Sequence, residues 1–342
     1  MTDNKPILIW GAGAIGGVIA AYLARAGFPV IAVDASEAHV DTIRRDGIRI
    51  SGPVDDFTQA LPAFTPETIT GQYDIIMLSV KAQHTETAVQ QLLPHLSPEG
   101  VVLSLQNGLN ELRIADLVGK HRSLCGFVNF AADYIEPGHI LYGNAGALMI
   151  GEHDKGVTPR LQALESMLQH YHPDVRAVDD IWAYKWGKLA YGSLLFLTAV
   201  SDETIADSVS CPDFAPAFTR LVSEVLSVAR AAGVAPTGFD GFAPEAFASG
   251  DADAARASLD AIADHYRHSA KQRSGVYRDL AVRKRKTEID SQIGEIPRIA
   301  RPLGLQTPVT DLLIRYIHEI EDGARPMRRE NLAEFTAEAQ RT

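Results

Sequence analysis

The sequence predicts a doubly wound α/β Rossmann domain, with a mostly parallel sheet, followed by an all-α domain. Three observations predict it. A strand, a glycine turn, a helix and a second strand follow one another within about 30 residues, the length of a βαβ unit. Strands and helical segments then keep alternating, as in a parallel sheet with crossover helices. From about residue 179 onward only helical patterning remains. The expected domains are 1–178 and 179–342, in keeping with a chain of 342 residues, too long for one compact core to be the default.

The elements justify themselves in order. Ile7-Leu8-Ile9-Trp10 is an apolar run ending at turn glycines, so it reads as a buried strand. Val18 to Ala26 reads as a helix closed by Gly27, and Val30 to Val33 as the next strand. Tyr73–Val80 and Val101–Leu105 are expected strands, and Thr85–Leu96 and Leu112–Val118 expected helices. Ser123 to Tyr134 and His139 to Ile150 read as further strands. The second half offers helices over Ile181–Ala199, Phe214–Ala232, Asp253–Gln272, Tyr277–Asp290 and Val309–Ile320. Ala235 to Asp251, rich in Gly, Pro and Ala, is expected to be a loop.

Composition removes whole classes of function. A net charge of −11 argues against nucleic acid, which needs a basic face. The basic run Arg283-Lys284-Arg285-Lys286 reads as a solvated face. Leu189 to Val200, 12 residues, is the longest apolar run and too short to span a bilayer. Cys125 and Cys211 form neither a metal spacing nor a disulfide framework, and no basic leader precedes the first strand. A cytoplasmic protein with no metal is therefore expected.

The stretch GAGAIGG meets the context that makes a glycine motif specific: a strand before, a helix after, and an acid about 20 residues on. Gly11 permits the tight turn, Gly13 lets backbone approach a pyrophosphate, and Gly16 permits close packing of helix on sheet. Ala12, Ala14 and Ile15 complete the loop and helix start, whose N–H groups suit an anion. Asp34, at the end of the second strand, can accept from ribose hydroxyls and would repel a 2′-phosphate. The expected cofactor is NAD(P), with NAD favoured.

Four further motifs follow: SVKAQHTETAV (79–89), LSLQNGLNEL (103–112), KWGKLAYGSLLFLTAV (185–200) and TEID (287–290). Together with GAGAIGG, and in this order over nearly the whole chain, they resemble the ketopantoate reductase (2-dehydropantoate 2-reductase) family. The resemblance implies a Rossmann domain, a helical domain and an active site between them. It implies reduction of a 2-oxo acid by hydride from a nicotinamide cofactor; relatives of the D-mandelate dehydrogenase type act on other 2-hydroxy acids. It also implies roles: Lys81 near the adenosine end, Asn107 on the nicotinamide and substrate side, Lys188 as general acid, and Glu288 holding the reacting centre and the cofactor's ribose. The chemistry agrees, because charge building on a ketone oxygen needs a cation that can also deliver a proton. Lys185, one turn before Lys188, is expected at the polar entrance of the helix and solvated.

The sequence departs from the family where substrate would be gripped. The stripe that typically reads Lys, Asn, Asn at i, i+4 and i+8 here reads Lys188, Gly192, Phe196. Ser274 matches a substrate-binding serine, but Gly275 stands where a second would be. The expectation is retained proton and hydride machinery with a rebuilt substrate pocket. Two alternatives stay open: 2-dehydropantoate 2-reductase itself, and an NAD-binding sensor without turnover. The expected partner is a small 2-oxo or 2-hydroxy acid, and a homodimer through the apolar helices is left open.

Overall fold

The computed structural model describes residues 5–239, 241–268 and 272–341. The chain divides into two compact units, Met1–Ile181 and Trp182–Thr342. The first contains strands β1 (Ile7–Trp10), β2 (Val30–Val33), β3 (Ile48–Ser51), β4 (Phe57–Gln59), β5 (Ala63–Phe64), β6 (Tyr73–Leu78), β7 (Leu96–Ser104), β8 (Ser123–Val128), β9 (Ala131–Glu136), β10 (His139–Asn144), β11 (Leu148–Gly151) and β12 (Arg176–Ala177). Its helices are α1 (Ala14–Arg25), α2 (Glu37–Asp46), α3 (Thr85–Leu92), α4 (Asn110–Val118) and α5 (Pro159–Leu168).

The main sheet has the order β12-β11-β8-β7-β6-β1-β2-β5. All its pairs are parallel except β8 with β11. Along β1 the side chains alternate between two cores. Ile7 and Ile9 pack with α1 and α5, whereas Leu8 and Trp10 pack with Val89 of α3 and Ile114 of α4. A strand buried on both faces carries no polar alternation, which is why ILIW is apolar throughout.

A second, smaller sheet, β4-β3-β10-β9, was not expected. The runs 123–134 and 139–150 are each two strands, one in each sheet, because the chain changes sheet in the middle of both. Gly146 makes that crossing feasible: a Cβ there would overlap the Asn129 carbonyl, while Asn129 N–H donates to the Ala147 carbonyl at 2.8 Å.

The second unit follows with α6 (Ile181–Thr198), α7 (Ile205–Ser210), α8 (Ala215–Ala231), α9 (Pro244–Ala248), α10 (Ala252–Arg267), α11 (Gly275–Tyr277), α12 (Ile289–Gln292), α13 (Glu295–Ala300), α14 (Pro308–Glu321) and α15 (Arg329–Arg341). Its described residues form no named strand. Glu224 of α8 is buried, and its carboxylate accepts from Val309 N–H (3.1 Å) and Thr310 N–H (2.9 Å), the free donors that open α14.

Three expectations for this half need correction. The presumed loop 235–251 contains α9. The helix expected to reach Gln272 ends at Arg267, and residues 269–271 of that expectation lie outside the described ones. The helix expected over Tyr277–Asp290 is broken: α11 passes into one π-turn over Arg278–Val282, and Lys284 reverses the chain at φ 47°. Four successive cations repel one another along a helix. The reversal instead lets Arg283 (2.9 Å) and Arg285 (3.0 Å) share the Asp279 carboxylate, and the run remains exposed.

Candidate active site

In the first unit the predicted residues converge on the carboxyl ends of β2, β1, β6 and β7, four neighbouring strands. The chain leaves β1 in one direction to β2 and returns on the other side at β6, a switch point where open α/β sheets bind ligands. Gly11 has φ 95°, and a Cβ on it would lie 2.7 Å from Val80 N. A Cβ on Gly16 would overlap the Gly11 carbonyl. Both glycines are therefore demanded by the fold itself. Gly13 is different. It caps α1 at φ −70°, and a Cβ on it would meet nothing within 4 Å.

The first N–H groups of α1 have no intrahelical partner, and no side chain caps the helix. Gly13, Ala14 and Ile15, around them, are only half-buried. Beside them the buried Ser79 Oγ has no hydrogen-bond partner among the described residues. Open space, unpaired donors and a helix N-terminus together fit the phosphates of a dinucleotide. Asp34 follows β2, and its Oδ1 accepts from Ser36 N–H at 3.0 Å, which orients the carboxylate.

Lys81 and Asn107 stand on exposed loops after β6 and β7. A buried network ties these loops together. Gln106 Nε2 donates to the Val80 carbonyl (2.9 Å) and to Thr85 Oγ1 (2.8 Å), and Thr85 Oγ1 donates to the Ala82 carbonyl (2.7 Å). Asn110 Nδ2 donates to the Asn107 carbonyl at 2.6 Å. Gln106, Thr85 and Asn110 were missed at the sequence level, although all three lie inside the quoted motifs.

His39 was missed as well. It is fully buried; Gly138 N–H donates to its Nδ1 (2.8 Å), so the proton sits on Nε2, which donates to the Ala12 carbonyl (2.9 Å). One imidazole thus joins the glycine loop to the turn between β9 and β10.

In the second unit, α6 is apolar and largely buried, with a half-exposed stripe of Tyr184, Lys188, Tyr191, Gly192 and Leu195. Two expectations change here. Lys185 is the buried lysine, at 4% exposure, and Lys188 the accessible one. Phe196 is 3% exposed and off the stripe, because eight residues of helix advance about 80° beyond whole turns. Leu195, at i+7, continues the stripe instead.

A Cβ on Gly192 would meet nothing within 4 Å. Tyr191 is flanked by aromatic rings, Phe239 at 5.3 Å and Phe242 at 5.6 Å, and its hydroxyl donates to Tyr266 Oη at 2.8 Å. Ser274 is buried, and its hydroxyl accepts from Tyr277 N–H at 3.1 Å as the cap of α11. Glu288 is half-buried ahead of α12, and its neighbour Thr287 is anchored by its N–H and hydroxyl, both 2.7 Å from Glu321 Oε1.

Comparison with known proteins agrees with this organisation. Residues 7–155 match the family described as ketopantoate reductase PanE/ApbA, and residues 180–321 match its C-terminal domain. A 2-dehydropantoate 2-reductase of Archaeoglobus fulgidus is 28% identical over 93% of this chain and 98% of its own length. A crystal structure of a PanE/ApbA family ketopantoate reductase from Ralstonia eutropha JMP134 has a TM-score of 0.78 at 27% identity, covering 93% of this chain and 99% of that one. A ternary structure of D-mandelate dehydrogenase with NADH and anilino(oxo)acetate has a TM-score of 0.80 at 23% identity, covering 93% and 98%, and shares the fold. Members of the family are NAD(P)-dependent oxidoreductases acting on 2-oxo and 2-hydroxy acids. No helix of the described residues is long and apolar enough to cross a membrane. The glycine cradle on a parallel sheet, the helical second unit and both sequence matches agree: the chain belongs to the ketopantoate reductase PanE/ApbA family.

Proposed function

We propose that this protein interconverts a 2-oxo acid and its 2-hydroxy acid, with NAD as preferred cofactor and an acid bulkier than ketopantoate as substrate. The observation that carries the reading is the accessible stripe of α6, where Lys188 stands one turn from the uncovered volume at Gly192. Gly11 to Gly16 would hold the pyrophosphate through backbone N–H groups, Asp34 the adenosine ribose, and Lys81 the adenosine side. Asp34 supports NAD, since its charge opposes a 2′-phosphate. Gly192, and Tyr191 beside Phe239 and Phe242, support a bulky substrate side chain. The D-mandelate dehydrogenase of this fold holds NADH and anilino(oxo)acetate, the same cofactor and class of acid.

A bound reduced nicotinamide supplies the hydride that forms the new C–H bond at the carbonyl carbon. As the π pair moves onto oxygen, the Lys188 ammonium stabilises that charge and transfers one Nζ proton to it, giving the hydroxyl. In the reverse direction the neutral amine takes that proton back. Asn107 would orient the carbonyl, and Glu288 would orient the lysine and a ribose hydroxyl. Phe196 packs behind the stripe as support, and Ser274 uses its hydroxyl to fix the start of α11 beside the substrate.

A second reading, 2-dehydropantoate 2-reductase, is favoured by the name of the A. fulgidus relative. Lys188→Ala tests the chemistry common to both readings: turnover falls about 10²–10⁴-fold while the Kd for NADH stays within about twofold. A Lys188→Ala protein that turns over like wild type would overturn the role given to Lys188, and a wild-type protein that binds NADH but turns over no 2-oxo acid would leave the NAD-binding sensor.

A further inference from the structure

We propose that Tyr134 forms the outer wall of the adenosine site, its ring packing against the adenosine half of the bound dinucleotide. The inference rests on the cofactor site proposed above and adds a residue from the second sheet, which no glycine motif announces.

The placement follows from register. Tyr134 lies opposite Ile140 in the antiparallel pair β9–β10, so the two side chains share a face. Two residues along, Ala132 lies opposite Tyr142, whose ring packs edge-on against Tyr22 of α1 at 5.9 Å. That face therefore looks onto α1. Ile140 reaches the first turns of the helix: a Cβ on Gly17 would overlap its Cδ1. Tyr134 sits beside Ile140 on the edge strand of the small sheet, next to the helix N-terminus.

One further contact fixes the ring there. It meets His39 edge-on at 5.1 Å, and His39 is itself bonded to the Ala12 carbonyl and the Gly138 N–H. Partial burial raises the Tyr134 hydroxyl above the usual phenol range, and the carboxylate of Asp34, then that of Glu136, add to it. The ring thus packs on the imidazole that holds the glycine loop, within electrostatic reach of Asp34. Despite these contacts it is 40% exposed. An amphipathic ring held rigid with a free surface is suited to packing on a base or sugar.

The test uses the full chain and titrates NADH and ADP-ribose, which keeps the adenosine and pyrophosphate but lacks the nicotinamide ring. Tyr134→Ala is expected to weaken both by about tenfold, with melting temperature unchanged, and Tyr134→Phe to keep both within about threefold. Gly13→Val serves as the reference for the cofactor site. If Gly13→Val loses NADH while Tyr134→Ala binds NADH and ADP-ribose like wild type, the role of Tyr134 is overturned and the cofactor site stands. Loss of NADH without loss of ADP-ribose in Tyr134→Ala would also overturn it. If Gly13→Val binds NADH normally, the cofactor site and the role of Tyr134 fall together.

Discussion

The glycine cradle of the first unit and the α6 stripe of the second are built on opposite principles. In the cradle the backbone makes the site. Gly11 and Gly16 lack side chains because carbonyls and strands occupy the space, and Gly13 lacks one although the space is open. On α6 the proposed site is made of side chains, whose positions depend on where the helix phase brings them. The difference teaches which residues are held for the fold and which for a ligand: the telling position is a small residue beside space that nothing in the chain fills. Gly13 and Gly192 are both of this kind.

The largest effect is expected at Gly13. Gly13→Val sets its Cβ in open space, yet would place methyl groups where phosphate oxygens approach. NADH affinity should fall about 100-fold, the equivalent of one or two hydrogen bonds to a charged group at about 1.5–3 kcal/mol each. Thermal melting should not move. Gly16→Ala sharpens the contrast, because its methyl would overlap the Gly11 carbonyl and should lower the melting temperature. Equal melting of Gly13→Ala and Gly16→Ala would erase the distinction between ligand glycine and fold glycine.

A smaller, two-signed effect is expected at Gly192. Gly192→Ala should stabilise the protein by about 1 kcal/mol, since glycine in a helix interior costs about that much relative to alanine. Activity on bulky 2-oxo acids should drop several-fold as the methyl fills the open volume. Stability and activity rising together would show that this space is not used by substrate.

The smallest effect tests a side chain inside the backbone-built unit. Burial holds the His153 imidazole below its ordinary value of 6.5, against the pull of the Glu111 carbonyl and carboxylate. A depressed folded value means that the unfolded chain takes up the proton first. Its contribution is therefore full above about pH 6.5 and is lost as pH falls through and below that point. Melting curves from pH 7.5 to 5.5 should fall more steeply for wild type than for His153→Gln, and parallel curves would refute this.

The same contrast explains what the sequence made legible. The glycine turn and the strand–helix alternation could be read because each rests on local backbone demands. The small sheet could not, since short strands such as Phe57–Gln59 gain their partners from distant segments. His39 was hidden because its two bonds span 27 and 99 residues of sequence. On α6 the pattern was visible but its phase was not. Counting by fours led from Lys188 to Phe196 and drifted into the core, whereas i+7 would have led to Leu195. Sequence neighbours put Lys185 at the polar end of the helix, but the turn of the helix carries it inward and it is the buried lysine.

The central claim is that α6 pairs a proton-donating lysine with room for a bulky 2-oxo acid, served by NAD. The most direct measurement is initial rates of the wild-type protein with NADH and with NADPH, on ketopantoate in parallel with the bulkier benzoylformate and, as a smaller control, 2-oxoisovalerate. The account predicts faster turnover of a bulky acid than of ketopantoate, and of NADH than of NADPH. Ketopantoate turned over far better than any aromatic or branched 2-oxo acid would contradict the pocket, and a preference for NADPH would contradict the role given to Asp34.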